Sequence, residues 1–117
     1  MGMLFSRESL TPDGRIIMSL HQFYEPRYSV VEILPDSSLV PFPNKELNKR
    51  TGGAALRLDS VLGIHTDSDG VVWMLDNGMR SGVIPKLVSW DTRANKLHRV
   101  INLQPSVALK MLLSMIW

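Results

Sequence analysis

An all-β fold is predicted by three observations. Thr11-Pro12-Asp13-Gly14-Arg15-Ile16-Ile17-Met18 and Asp67-Ser68-Asp69-Gly70-Val71-Val72-Trp73-Met74 are imperfect copies of one hairpin signal, with glycines 56 residues apart (70 − 14). In each copy an Asp-Gly pair precedes a β-branched run; glycine tolerates positive φ and aspartate bonds the local backbone, so the chain turns into a strand. The downstream stretches repeat as well, Ser29-Val30-Val31-Glu32-Ile33-Leu34 matching Lys86-Leu87-Val88-Ser89-Trp90-Asp91. Finally, the apolar cores are short and punctuated by turn formers, the pattern of successive antiparallel strands.

The elements follow in order. Strand cores are expected at 15–20 and 28–34, then a polar turn at Pro35-Asp36-Ser37-Ser38 and a further strand in Leu39-Val40-Pro41-Phe42. Residues 44–57, with Lys45, Glu46, Lys49, Arg50, Gly52 and Gly53, read as a polar loop between two repeats. The second repeat supplies strand cores at 61–66, 71–76, 86–91 and 97–102, the last two separated by the turn Asp91-Thr92-Arg93-Ala94-Asn95. Val71-Val72-Trp73-Met74-Leu75 is continuously apolar, and such a strand needs neighbours on both faces. The repeats thus occupy about 10–43 and 58–103, within a region of residues 1–105. The apolar tail 106–117 lies outside them and is rich in the helix formers Ala108, Leu109, Lys110, Met111 and Leu112.

Bulk composition narrows the functional classes. The chain has 117 residues, 44% hydrophobic and 21% charged, a globular balance in which a core forms. Thirteen Lys and Arg against eleven Asp and Glu leave a net charge of +2, so no nucleic-acid partner is expected. Without cysteine there is no disulfide, thiolate catalysis or cysteine-ligated metal. The start Met1-Gly2-Met3-Leu4-Phe5-Ser6-Arg7-Glu8 lacks a basic segment followed by a long apolar core, so no signal peptide is expected. The tail, interrupted by Lys110, is shorter than the ~20 residues of a membrane-spanning helix.

A three- or four-strand meander recurring at a fixed period and buried on both faces predicts blades of a β-propeller, of which about four to eight close a ring. Two blades do not close one. The chain is therefore expected to be a fragment of a propeller, with assembly with other chains or a small sandwich of the two copies as the alternatives; unpaired blade edges invite self-association.

Four residues are candidates for ligand chemistry. Asp76 and Asn77 end an apolar strand, where a carboxylate beside an amide either faces a cavity or organises the turn. His65 leads into the second hairpin and His21 follows the first repeat's Ile16-Ile17-Met18-Ser19-Leu20; either is a ligand-binding position or a structural histidine. No catalytic residue is assigned, and no second histidine stands at metal-ligand spacing, so no metal site is predicted. His98 reads as a solvated outer-strand residue without a role. Trp73 and Trp90 read as packing between blades rather than a stacking platform.

The stretch from Asp59 to Gly78, followed by Pro85-Lys86-Leu87-Val88-Ser89-Trp90-Asp91, resembles the major royal jelly protein and Yellow family. Trp73, Leu75, Asp76, Gly78, Pro85, Lys86, Leu87 and Val88 carry most of the likeness. The resemblance covers roughly residues 10–103 and implies two blades of a six-bladed, usually secreted propeller, with relatives labelled as dopachrome tautomerase-related. It also implies a small organic ligand bound or processed in a central cavity, and an extracellular location. After Gln104 the sequence departs from the family, as a truncated or frame-altered product would. The neighbouring gluconolactonase-like propellers share the Asp-Gly turns but hold a divalent metal; where their motif places an Asn, this chain has Leu62 and Ser6. A metal-dependent hydrolase of that kind and a noncatalytic interaction module remain as alternatives.

Overall fold

A computed structural model describes residues 6–20, 28–48, 57–78, 84–104, 106–107 and 110. Each repeat folds into a four-stranded antiparallel meander, and the fold is all-β. The first sheet runs β1 (Glu8–Leu10), β2 (Ile16–Ser19), β3 (Val30–Ile33) and β4 (Leu39–Pro41). The second runs β5 (Val61–Thr66), β6 (Val71–Asp76), β7 (Lys86–Asp91) and β8 (Lys96–Asn102). Between them, among the described residues, the backbone makes a 3-10 turn, Glu46–Asn48. Of the tail, Ser106, Val107 and Lys110 are described, with helical backbone; His21 lies outside the described residues.

The sequence reading missed β1. Glu8-Ser9-Leu10 holds a single apolar residue and carries no pattern of its own; pairing with β2, Leu10 opposite Ile16 and Glu8 opposite Met18, makes it a strand. Such pairing is a nonlocal effect that local composition does not encode.

The two hairpins use one bonding scheme at a 56-residue offset (67 − 11). Gly14 N–H donates to the Thr11 carbonyl at 2.9 Å and Gly70 N–H to the Asp67 carbonyl at 3.1 Å, with φ of +88° and +81° at the glycines. Thr11 Oγ1 accepts from Arg15 N–H at 2.9 Å, and Asp67 Oδ1 accepts from Val71 N–H at 3.0 Å. A hydroxyl and a carboxylate thus do the same work, because both are short acceptors able to fold back on the backbone.

That equivalence fixes which faces meet. Pairing Ile16 with Ile33 and Met18 with Val31 in the first sheet corresponds to Val72 with Trp90 and Met74 with Val88 in the second. The main core joins Ile17, Val30 and Phe42 of the first sheet and its exit to Ile64, Val72, Met74, Val88 and Trp90 of the second. Ile17 is the equivalent of Trp73, whose side chain lies in the other cluster with Val71, Leu75 and Leu87. The sheets therefore stack front to back, each presenting a different face to the contact, whereas a two-fold sandwich would present the same face twice. At their inner edges Ser6 and Ile64 exchange backbone bonds at 3.0 and 2.6 Å, and Ser9 Oγ donates to Thr66 Oγ1 at 2.7 Å.

Candidate functional site

Asp76 ends β6 with its side chain fully buried. Its Oδ2 accepts from Asp59 N–H at 2.7 Å and from Lys86 Nζ at 3.1 Å. Its Oδ1 accepts from Ser60 N–H and Gly78 N–H, both at 2.9 Å. Four donors, one of them the buried ammonium of Lys86, engage the carboxylate. Asn77 N–H donates to the Ser60 carbonyl at 3.0 Å, so the strand end is laced to the segment entering β5. Beside it Arg57 Nη2 stands 3.8 Å from Asp59 Oδ1. Asp76 therefore ties together the start of β5, the end of β6 and the start of β7.

His65 lies elsewhere. It is opposite Trp73 in the β5–β6 register, three residues along β6 from Asp76, roughly 10 Å at about 3.3 Å per residue. Asp76 and Asn77 are neighbours at one end of the sheet, and His65 belongs to a different row.

That row crosses the second sheet on the face turned away from the first. Trp73 pairs with Ser89 on β7, and a register shift at Ser89/Trp90 brings His98 of β8 over both. Ser89 Oγ and His98 Nδ1 are 2.9 Å apart, and the His98 ring meets Trp73 edge-on at 5.6 Å between centroids. At the other side Trp73 Nε1–H donates to Asp67 Oδ2 at 3.2 Å. His98, given no role from its sequence, is thus an integral member of the row. The bulge that aims it leaves no mark in Lys96-Leu97-His98-Arg99, because bulges are set by cross-strand registry.

The chemistry open to this row is limited. Ser89 is fully buried and its hydroxyl is held against imidazole and, at 3.5 Å, the Arg99 carbonyl, so it offers substrate no approach as a nucleophile. The Asp67 carboxylate serves Val71, Asp69 and Trp73. Among the described residues no three His, Cys, Asp or Glu converge to hold a metal ion, and no helix is long and apolar enough to cross a membrane. The chain matches no family model and no curated protein.

Asp67 does give the row a pH response. Its partial burial opposes ionisation, but the N–H donors of Val71, Trp73 and Asp69 and the charge of His65 outweigh this and hold its pKa below 3.8. A carboxylate depressed on folding contributes stability above its unfolded value, and that contribution fades as pH falls through the lower folded value. The stability difference between wild type and Asp67→Asn should accordingly be largest near neutrality and shrink below pH 3.8. Urea titrations at several pH values check this; a difference independent of pH would refute it.

Proposed function

We propose that this chain supplies two blades of a propeller of the royal jelly and Yellow type, whose central cavity takes a small organic ligand. The observation that carries the reading is the front-to-back stacking of two register-equivalent four-stranded meanders. Such a contact is heterologous, and a heterologous contact repeated with a rotation that closes generates a ring. The side-by-side placement of β1 and β5, linked through Ser6 and Ile64, supports assigning these strands to the ring's inner edge.

Within this reading Asp76 and Lys86 are the lock of the blade, and ligand contact falls to His65 on the inner strand, with Asn77 at the rim. Titration calorimetry with a panel of catechols, aromatic amines and lactones tests this. A binder should emerge, and His65→Ala should weaken it about tenfold, the equivalent of about 1.4 kcal/mol for one lost hydrogen bond. Absence of any binder, or binding indifferent to both His65→Ala and Asn77→Ala, would overturn the assignment.

A further inference from the structure

The two Asp-Gly turns share a bonding scheme but differ in what holds them from outside. In the second sheet the Gly70 carbonyl accepts from Thr92 N–H at 3.1 Å and from Thr92 Oγ1 at 2.6 Å, which latches the β5–β6 turn to the β7–β8 turn. A Cβ on Gly70 would stand 3.0 Å from Thr92 Oγ1 and 3.4 Å from Arg93 Cγ and Nε, so the bare glycine lets the arginine stem lie across the turn. In the first sheet a Cβ on Gly14 would meet nothing within 4 Å. The register equivalent of Thr92 there is Pro35, which has no N–H to donate.

Between the open turn and the latched one lies a cleft of about 230 Å³, lined by Pro12, Asp13, Gly70, Thr92 and Arg93. It brings an anion of the first sheet and a cation of the second to one space, and among the described residues neither has an ion-pair partner. Arg15, the cation nearest Asp13 in sequence, is committed to Glu32 at 3.0 and 2.8 Å. The Arg93 guanidinium makes a single long bond, 3.4 Å, to the Ser68 carbonyl. Both groups are nonetheless held in place. Asp91 Oδ1 accepts from Arg93 N–H at 3.0 Å while the stem rests on Gly70. On the opposite wall the Thr11 hydroxyl donates to Asp13 Oδ1, a bond that keeps this carboxyl below its ordinary pKa and therefore ionised at neutral pH.

We propose that this cleft binds a small zwitterion, by chemical class a free amino acid, with its carboxylate on Arg93 and its ammonium on Asp13. The planar fork of a guanidinium matches the two oxygens of a carboxylate, and a carboxylate accepts the N–H groups of an ammonium. One charge of each sign on facing walls disfavours a plain anion or a plain cation, since either meets repulsion from one wall. Size agrees: the cleft is smaller than the roughly 300–1,000 Å³ of pockets for drug-sized molecules, which suits a ligand of few heavy atoms.

The cleft is separate from the rim positions Asp76 and Asn77. Gly70 precedes β6 and Asp76 ends it, so the two stand roughly 20 Å apart at about 3.3 Å per residue. Both walls belong to this chain, and the site stands whether or not the two sheets are blades of a ring.

Nuclear magnetic resonance titration of the isotope-labelled full chain with glycine, alanine and β-alanine tests the proposal. Two charge-assisted contacts in an open cleft give millimolar affinity, and the backbone amide signals of Gly14 and Gly70 should shift together and saturate. Arg93→Gln and Asp13→Asn should each weaken binding at least about tenfold, and so should acetylation of the ligand's amine. Arg99→Gln removes an exposed cation outside the cleft and should leave the affinity unchanged. Asp13 and Arg93 are both exposed, so circular dichroism of their variants should match wild type; if one fails to fold, the other and the acetylated ligand still decide. Absence of saturable shifts in the millimolar range with all three amino acids, shifts confined to one of the two turns, or equal binding of the free and acetylated forms would each overturn the proposal.

Discussion

Replacing Asp76 with alanine should remove about 3–5 kcal/mol of stability, the cost of stripping one partner from a buried ion pair. The substitution strands the Lys86 ammonium, whose side chain is 3% exposed, and the N–H groups of Asp59, Ser60 and Gly78 that the carboxylate accepts from. The reciprocal change, Lys86→Met, should cost less. It leaves the carboxylate with three backbone donors and replaces the lysine stem with an apolar one of similar shape. Urea unfolding followed by circular dichroism orders the two variants. A loss under about 1 kcal/mol for Asp76→Ala, or a larger loss for Lys86→Met, would show that the network is not the lock described above.

Phe42→Ala is expected to rank beside it, at about 3–5 kcal/mol for truncating a buried aromatic residue. Phe42 is 1% exposed and follows β4, where its N–H donates to the Val30 carbonyl at 2.9 Å and its ring enters the core shared by both sheets. The Arg15 guanidinium sits 5.7 Å from the ring centroid, held by a two-pronged contact with Glu32 at 3.0 and 2.8 Å. Truncation removes packing from the seam between the sheets together with this cation–π contact. Both sheets depend on the seam, so thermal unfolding of Phe42→Ala should remain one transition at a lower temperature. Two separated transitions would mean that the sheets are stable independently.

Much of the fold was legible because its signals are local. Asp-Gly before a β-branched run encodes a turn within four residues, and Gly14 and Gly70 adopt the positive φ that such turns require. The polar turns were readable for the same reason: Asp36 Oδ1 accepts from Ser38 N–H, and Asp91 Oδ1 from Arg93 and Ala94 N–H. The continuous apolar run of β6 announced burial on both faces, and every residue from Val71 to Asp76 is buried. β1 was not legible, because Glu8-Ser9-Leu10 becomes a strand through its partner.

The candidate site divides along the same line. Asp76 and Asn77 could be selected from sequence as a carboxylate and an amide ending an apolar strand. Sequence left open whether the carboxylate faces a cavity or the backbone, because the donors that saturate it include Asp59 and Lys86, 17 and 10 residues away. His98 is exposed on the outer strand, as its sequence suggests, while its contacts with Trp73 and Ser89 come from a β-bulge that local sequence does not mark.

Turn chemistry and apolar runs act over a few residues, and they alone specify an all-β chain of two repeated meanders. The tertiary structure decided which face of each meander is used. Alternation gives every strand two faces, and only the stacking of one sheet on the other turned Ile17 inward and left Leu10, Ile16 and Leu39 exposed.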